Sequence, residues 1–342
     1  MERIRIAIIV PFANVFYSGG VTVQGRMWKE GLEELGNIVD LVDNWGKFDW
    51  NTYDYIIILG NGKLLLDYMF LLRGFEHPQI ISAPIIDYHK SFFSFVLRSR
   101  YFGSVRLKIN KPFHDLYYCR KMFDFYLVRS EYESRFIEEG FHIDIKKIYK
   151  LPLNFRIPMR YLKNIDFEKK ENFCFHSSRL GSPGKNVERL IKAAIKYDFN
   201  LVLAGSIKGH EQESWLHKLI DGHHNIQYVG WLSDEELYDY YSRAKVFALP
   251  SIIEGVGMVA LEASIFGCEI ILSNIGAPKE YFNGMAHLVN PYDIDDIGLK
   301  IKKALLGVGY QPRLRKYILN RNNSDYCMKE LDSVLRKNQK ER

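Results

Sequence analysis

Apolar runs of strand length alternate with stretches of helical periodicity along most of this chain. In the first half, the pattern predicts two helices, at 21–35 and 131–139, and strands at 4–11, 55–59, 80–86 and 125–128. Alternating strands and helices indicate βαβ units and an open parallel sheet.

The alternation starts again in the second half of the chain. Strands are predicted at 172–177, 200–203, 226–229, 246–249 and 269–272, and helices at 187–197, 233–244, 256–266 and about 325–337. Ser233 and Glu236 have the spacing of a capping box.

Between the halves, Pro152, Pro158 and a charged run interrupt the periodicity at 151–170. We therefore expect an α/β protein with two Rossmann-like domains facing a cleft, residues 1–152 and 153–315. The segment 316–342 is expected to be a C-terminal helix that packs back on the first domain. Ligands are expected at the carboxyl ends of the strands.

Length and composition exclude several classes of protein. The chain has 342 residues, 47% hydrophobic and 26% charged, so it is neither disordered nor fibrous. We find no apolar run near the roughly 18 residues of a membrane span and no signal-peptide pattern at the first residues. The cysteines are far apart, which predicts free thiols in a reducing cytoplasm rather than disulfides or a zinc site: Cys119, Cys174, Cys268 and Cys327.

Positive charge is concentrated in one segment, residues 90–123. Its only acid is Asp115, and its eight basic residues give a local excess larger than the net charge of +6: Lys90, Arg98, Arg100, Arg106, Lys108, Lys111, Arg120 and Lys121. Aromatic residues alternate with these charges: Phe92, Phe93, Phe95, Tyr101, Phe102, Phe113, Tyr117 and Tyr118. Three interpretations stay open, namely docking on an anionic membrane surface, nucleic-acid binding, or a solvated basic face over core aromatics.

The most informative motif covers residues 251–263, where a predicted strand enters a glycine-containing turn and a helix follows. The free amides at such a helix start favour an anion. Glu254 lies in the turn, and Glu262 lies in an otherwise apolar helix. A carboxylate there needs partners, either ligand hydroxyls or, alternatively, solvent or a lysine.

Two further glycine-containing loops follow predicted strands. In the first, Arg179 and Lys185 can converge on a diphosphate, unless they are merely solvated cations. In the second, Gly19 and Gly20 permit close approach of the backbone to a ligand, unless they form a plain turn. The sequence lacks a strict P-loop and the G-x-G-x-x-G fingerprint at these loops, which argues against an NAD dehydrogenase.

Together these motifs resemble the retaining glycosyltransferases of family 4, which have the GT-B fold. Glu254 and Glu262 reproduce the family's E-x7-E motif, Arg179 and Lys185 its paired cations, and Gly19-Gly20 its N-terminal glycine loop. Further matches are Ser130, Gly230, the segment 276–280 and Asn290-Pro291.

The resemblance implies a role for each matched residue. Arg179 and Lys185 would hold the donor's diphosphate, Glu262 the ribose hydroxyls and Glu254 the transferred sugar. The nucleobase of the donor would lie near residues 228–232, which include Trp231. Gly19 and Gly20 would approach the phosphates of the donor. Backbone amides around the start of the helix would contact sugar and phosphate: Gly255, Val256, Gly257 and Met258.

Two positions depart from the family pattern. Pro84 stands roughly where the family has a histidine near the donor sugar, which leaves His89 or Asp87 as substitutes or as surface residues. The family's Asn-Gly pair is replaced in the segment 152–155.

Metal use is not expected. The D-x-D pair Asp293 and Asp295 is better interpreted as a helix cap than as a Mg²⁺ ligand pair. We therefore expect no metal site and no cofactor, with the nucleotide sugar as a donor substrate.

These features predict a retaining, metal-independent hexosyltransferase that uses a nucleoside-diphosphate sugar. The expected acceptor is a saccharide or a lipid-linked intermediate of surface polysaccharide synthesis, such as O-antigen, capsule or exopolysaccharide. The expected location is the cytoplasm, including the inner face of the membrane, without a nucleic-acid partner. Alternatives are another GT-B enzyme such as a nucleotide-sugar 2-epimerase, a non-catalytic nucleotide-sugar or membrane-binding module, and a nucleic-acid-binding protein.

Overall fold

A computed structural model describes residues 3–10, 20–43, 46–75, 78–163, 165–167 and 169–340. The chain forms two compact units. Unit 1 contains residues 1–154 and 322–342, and unit 2 contains residues 155–321.

Unit 1 is built on a six-stranded sheet in which every strand pairs in parallel with its neighbours, in the order β2-β1-β3-β4-β5-β6. Its strands are β1 (Arg5–Ile9), β2 (Ile38–Val42), β3 (Tyr55–Leu59), β4 (Gln79–Ala83), β5 (Phe125–Val128) and β6 (Ile148–Lys150). The connecting helices are α1 (Gly20–Glu34), α2 (Lys63–Leu72), α3 (Phe92–Tyr101), α4 (Pro112–Cys119) and α5 (Glu131–Phe141).

The inner strands of unit 1 are apolar on both faces, since helices cover both sides of the sheet. In β3, Ile56 and Ile58 pack into one core, while Tyr55, Ile57 and Leu59 pack into the core on the opposite face. Successive strand residues point to opposite faces, so a continuous apolar run supplies both cores.

Unit 2 has a second all-parallel six-stranded sheet, in the order β12-β11-β10-β7-β8-β9. Its strands are β7 (Glu171–Ser177), β8 (Leu201–Ala204), β9 (Ile226–Tyr228), β10 (Ala244–Leu249), β11 (Glu269–Ser273) and β12 (His287–Val289). Its helices are α6 (Val187–Tyr197), α7 (Gly209–Ile220), α8 (Asp234–Arg243), α9 (Met258–Ile265), α10 (Ile294–Leu305) and α11 (Arg313–Arg321).

The last helix, α12 (Ser324–Lys340), returns to unit 1. Its buried face, which includes Met328 and Leu331, packs in the same core as Trp28 and Leu32 of α1. The predicted boundary between residues 315 and 316 falls inside α11, and the structure places this boundary after residue 321. The reason is that α11 packs on α9 and continues the core of unit 2.

The nine predicted strands and the six predicted helices are all present, with some bounds shifted. Nine further elements of the described residues were not predicted from the sequence: β2, β6, β12, α2, α3, α4, α7, α10 and α11. The capping box is confirmed, because the Ser233 side chain accepts from the Glu236 amide while Glu236 accepts from the Ser233 amide. The predicted helix at 256–266 begins at Met258, after Gly257 at φ 78°. None of the described helices is long and apolar enough to cross a bilayer.

Candidate functional site

In unit 2, the loop with the paired cations and the loop with the first carboxylate follow two neighbouring strands at the centre of the sheet. From β7 the chain runs outward through β8 and β9, and from β10 it runs outward through β11 and β12 on the other side. The carboxyl ends of β7 and β10 therefore flank the switch point, where open α/β sheets bind their ligands. Arg179 and Lys185 follow β7, and Glu254 follows β10.

Backbone hydrogen bonds join these two loops directly. The amides of Ile252 and Ile253 both donate to the Gly184 carbonyl, at 2.8 and 3.1 Å. Buried Asn186 adds two bonds through its Nδ2, to the carbonyls of Pro250 at 2.9 Å and Pro291 at 2.6 Å. The loops after β7, β10 and β12 are thus held as one assembly.

The central contact of the site is an ion pair between two predicted residues. Lys185 Nζ lies 2.6 Å from Glu254 Oε2, and both side chains are mostly buried. Ser251 Oγ donates to the same carboxylate oxygen at 3.3 Å. Arg179 is exposed, and its side chain has no hydrogen-bond or ion-pair partner among the described residues. The structure therefore brings Lys185 and Glu254 together and leaves Arg179 available on the same loop.

A buried histidine, His176, anchors the first loop to β10. Its Nδ1 lies 2.7 Å from the Ala248 carbonyl, and its Nε2 lies 2.7 Å from Ser178 Oγ. Because a carbonyl only accepts, Nδ1 carries the proton and Nε2 accepts from the Ser178 hydroxyl. Burial lowers the pKa of His176 to about 4, so the ring is neutral at pH 7.

Glu262 is buried in α9, with only 1% of its surface exposed. Its partner is Arg156, whose Nε donates to Glu262 Oε1 at 2.7 Å. Arg156 also pairs with Asp234 at 3.2 Å. Neither the lysine nor the solvent partner of the alternative interpretation is found, since an arginine pairs with this carboxylate.

The second oxygen of this carboxylate remains unsatisfied. Glu262 Oε2 and the Tyr241 hydroxyl are buried and have no hydrogen-bond partner among the described residues. Burial raises the pKa of Glu262, although Arg156 and the nearby Tyr241 hydroxyl favour its charged form. This oxygen is therefore an acceptor for a hydroxyl donor, which can be the neighbouring Tyr241 side chain or a ligand.

The turn between β10 and α9 is shaped by glycine. Gly257 has φ 78° and is the N-cap of α9, and no side chain caps this helix start. Val256 is buried, whereas Gly255 and Met258 are partly exposed. The amides of Ala260 and Leu261 donate to the Gly257 carbonyl, and no side chain caps the amides before them. The positive end of the helix dipole lies at the same place.

The loops after β8 and β9 complete this edge of unit 2. The Gly205 amide donates to the Gly230 carbonyl at 2.7 Å, and the Tyr228 hydroxyl donates to the Gly205 carbonyl at 3.1 Å. A Cβ on Gly205 would lie 1.7 Å from the Ser178 carbonyl oxygen. Trp231 follows Gly230 and is 74% exposed.

The remaining predicted site residues lie in unit 1. Gly20 is the exposed first residue of α1, and Gly19 lies outside the described residues. His89 is partly exposed in the segment after β4, with its ring 6.3 Å from the ring of Tyr88. Asp87 is exposed. The substitution of His89 or Asp87 for the family's histidine stays a prediction.

The D-x-D residues have structural partners. Asp293 caps α10 by accepting from the amides of Asp295 and Asp296. The Asp295 carboxylate pairs with Lys196 and accepts from the Tyr197 hydroxyl. The four cysteines are buried and free.

Sequence reasoning missed three residues that build the site: Arg156, His176 and Asn186. Arg156 is 106 positions from its partner Glu262, and no local pattern marks it. A histidine inside the apolar strand β7 was a usable signal for His176, because a buried ring needs hydrogen-bond partners.

Comparisons with known proteins agree with this architecture. Residues 160–321 match the family model described as glycosyl transferases group 1. The serotype-specific mannosyltransferase WbdA of Escherichia coli is 29% identical over 147 residues, which cover 40% of this chain and 18% of WbdA. The O-antigen chain mannosyltransferase B of Escherichia coli is 29% identical over 131 residues, which cover 36% of this chain and 34% of that protein. The chain thus matches about a third or less of each relative's length.

The fold comparison covers nearly the whole chain. The structure of sucrose-phosphate synthase from Thermosynechococcus elongatus superposes with a TM-score of 0.73 and 16% identity, over 99% of this chain and 100% of that one. The predicted family resemblance and the predicted fold are confirmed. Residues 160–321 are therefore similar to the glycosyl transferases group 1, and the chain that contains them has the GT-B fold.

Proposed function

We propose that this chain transfers a hexosyl residue from a nucleoside-diphosphate sugar to an acceptor, with retention and without a metal ion. The observation that carries the proposal is the Lys185–Glu254 ion pair at the switch point of unit 2, beside the uncapped start of α9. A cation, a carboxylate and free amides at one sheet edge are suited to an anion joined to a sugar.

Diphosphate binding is assigned to Lys185 and Arg179. In the free protein Glu254 neutralises Lys185, and a diphosphate would replace Glu254 as the partner of this ammonium group. Arg179, on the same loop, adds a planar guanidinium that matches phosphate oxygens. The released Glu254 carboxylate is then available to accept from sugar hydroxyls.

The nucleoside is assigned to the neighbourhood of Glu262. Its free Oε2 supports a contact with a ribose hydroxyl, and Arg156 holds the other oxygen. Contacts of Trp231, Gly255, Val256, Gly257 and Met258 with the donor are part of the same proposal, as are those of Gly19 and Gly20.

The proposed chemistry needs no nucleophile from the protein. The bond between the anomeric carbon and the diphosphate oxygen breaks while the acceptor oxygen bonds to the same face of that carbon. The acceptor proton passes to the leaving phosphate oxygen, so the products are a glycoside and a nucleoside diphosphate. Arg179 and Lys185 stabilise the charge that develops on the leaving group.

The relatives suggest which sugar and acceptor to examine first. Both are named mannosyltransferases, and one is named for the O-antigen chain. We therefore propose a mannosyl donor and an acceptor, saccharide or lipid-linked, from surface polysaccharide synthesis. A location at the inner face of the cytoplasmic membrane completes the proposal.

A transfer assay tests this proposal. The purified chain is mixed with GDP-mannose, or with other GDP- and UDP-sugars, and with a panel of octyl glycosides, in buffer containing EDTA. We expect nucleoside diphosphate release that depends on the acceptor, and a product whose anomeric configuration by NMR equals that of the donor. An inverted product, or activity only with added Mg²⁺, would contradict the mechanism.

Reactions without acceptor separate the alternatives. A 2-epimerase would convert the donor sugar in the absence of any octyl glycoside. A non-catalytic module would bind the donor and release no nucleoside diphosphate with any acceptor of the panel. The variant Glu254→Gln is expected to lower transfer at least about tenfold, since it weakens the proposed contact with the sugar.

A further inference from the structure

The basic segment 90–123 separates into a buried part and an exposed part in the structure. Phe95 belongs to the core of unit 1, and Phe92 and Phe113 pack against that core. Phe93 and Phe102 instead face solvent. The interpretation as a solvated basic face over core aromatics therefore explains only some of these rings.

The exposed apolar residues of α3 form one stripe. Phe93, Leu97 and Tyr101 are four positions apart, so they lie along one face of the helix. Phe93 and Tyr101 are 71% and 72% exposed, and Leu97 is 36% exposed. The opposite face is held in unit 1 by buried Phe95 and Ser99.

A short turn follows this stripe along the chain. An antiparallel bridge between Ser104 and Ile109 closes it, with backbone bonds of 3.0 and 2.9 Å in the two directions. Its tip consists of Arg106, Leu107 and Lys108, all exposed, and Leu107 is 70% exposed. An apolar side chain between two cations at a protruding turn is suited to the boundary between lipid headgroups and acyl chains.

We propose that these six residues, called here the docking surface, bind a bilayer that contains anionic lipids: Phe93, Leu97, Tyr101, Arg106, Leu107 and Lys108. The proposal adds a defined surface to the membrane location proposed above, and it does not depend on the donor site.

The positive charge of this segment, together with its apolar side chains, favours a bilayer over a second copy of the chain or a nucleic acid. Asp115, the only acid of residues 90–123, is fully buried, so this segment exposes cations without a balancing carboxylate. A second copy seated face to face would bring like charges together. A nucleic acid would satisfy the cations but would leave the aliphatic side chains Leu97 and Leu107 without an apolar partner.

Vesicle flotation with matched variants tests the charge and insertion of the tip. The full chain is mixed with vesicles of phosphatidylglycerol and phosphatidylcholine in equal parts, or of phosphatidylcholine alone. The variant Arg106→Gln/Leu107→Ser/Lys108→Gln is compared with Ile145→Ser/Lys146→Gln/Lys147→Gln. The control removes the same two charges and one exposed aliphatic residue elsewhere in unit 1.

The proposal gives a quantitative expectation. Wild type should prefer the anionic vesicles, and the tip variant should bind them at least about tenfold more weakly, since each cation contributes roughly fivefold. The control should change less than about threefold. Equal binding to both vesicle types, no binding, or an equal loss in the control would overturn the proposal. Unchanged binding of GDP or UDP by the tip variant would show that a vesicle result is separate from the donor site.

Direct insertion is measured with a fluorescent label. The native cysteines are all buried, so Leu107→Cys can be labelled selectively with a polarity-sensitive dye, and Ile145→Cys serves as the control. With anionic vesicles we expect a blue shift at position 107 and none at 145. No shift at 107, or a shift that depends on protein concentration without vesicles, would overturn membrane docking, and the latter would indicate self-association. A shift produced by RNA but not by vesicles would also overturn it.

Discussion

His176 gives the sharpest test of how unit 2 positions its loops. Its ring joins β10 to the Arg179 loop, through Ala248 on one side and Ser178 on the other. The neutral ring with the proton on Nδ1 satisfies both bonds. Protonation would require the Ser178 hydroxyl to turn from donor to acceptor, and it would place a charge in a site without solvent, which is the larger cost.

The pKa of His176 sets the size of the effect. A value of about 4 in the folded chain, against 6.5 as its ordinary value, corresponds to about 3 kcal/mol. As the pH falls through 6.5, the unfolded chain binds a proton at His176 and the folded chain does not, so stability falls. About 2 kcal/mol of this loss is expected between pH 7.5 and pH 5.

Hydrogen exchange of the β7 and β10 amides in the full chain measures this effect within unit 2. We expect the free energy of opening to fall by about 2 kcal/mol between pH 7.5 and pH 5 in wild type, beyond any fall in His176→Asn. The asparagine amide can still donate to the Ala248 carbonyl but does not titrate. All other titrating groups are common to both proteins and cancel in the comparison.

Equal pH dependence in the two proteins would refute the reasoning, because it would mean that His176 is not a buried neutral ring. His176→Asn should also weaken binding of a nucleoside diphosphate, since the Arg179 loop loses its bond from Ser178. If His176→Asn keeps full affinity for the nucleoside diphosphate but loses the pH dependence of opening, His176 stabilises unit 2 without positioning the Arg179 loop.

Two further predictions concern buried contacts of unit 2. Arg156→Met leaves buried Glu262 without its cation and should cost about 3 kcal/mol at pH 8. The cost should shrink as the pH is lowered, because burial raises the pKa of Glu262 and protonation removes its unpaired charge. Arg156→Met/Glu262→Gln should recover most of the cost at pH 8, and urea unfolding of each protein measures both effects. Gly205→Ala forces a Cβ against the Ser178 carbonyl and should cost more than about 2 kcal/mol by the same assay, whereas Gly222→Ala, at φ 73° with open space around it, should cost about 1 kcal/mol. Equal effects of the two alanines would contradict the role of the Gly205 contact.

Local pattern was enough to predict the alternating elements and the two motif loops. Most of the predicted strands are continuous apolar runs buried on both faces, which makes them visible in sequence. The edge strands β2, β6 and β12 are only partly buried and were missed. The weaker periodicity of α2, which is apolar nearly all round, and of α7, with one fully buried residue, gave no comparable signal. The N-cap at Gly257 shortened the predicted helix at 256–266 because the glycine turn extends two residues further.

Long-range partners could not be read from local spacing. The Lys185–Glu254 pair joins residues 69 positions apart, and only the adjacency of β7 and β10 brings them together. Arg156 was missed for the same reason, since its carboxylate partner lies on a helix reached only after four strands of unit 2. The solvent exposure of individual aromatic side chains could not be predicted from the sequence either. Only the folded α3 distinguishes solvent-facing Phe93 from core Phe95.

Calorimetric titration with GDP and UDP tests the central claim most directly, the claim that Lys185 and Arg179 form a diphosphate site at the switch point. We expect one nucleotide to bind with EDTA present, and Lys185→Ala and Arg179→Ala each to weaken it about tenfold or more, equivalent to about 1.4 kcal/mol. Lys218→Ala, in the last turn of α7 at the opposite edge of the sheet, should change affinity less than about twofold. Glu254→Gln should leave binding equal or tighter, because it releases Lys185 from its ion pair. Equal affinities for wild type, Lys185→Ala and Arg179→Ala would contradict the account.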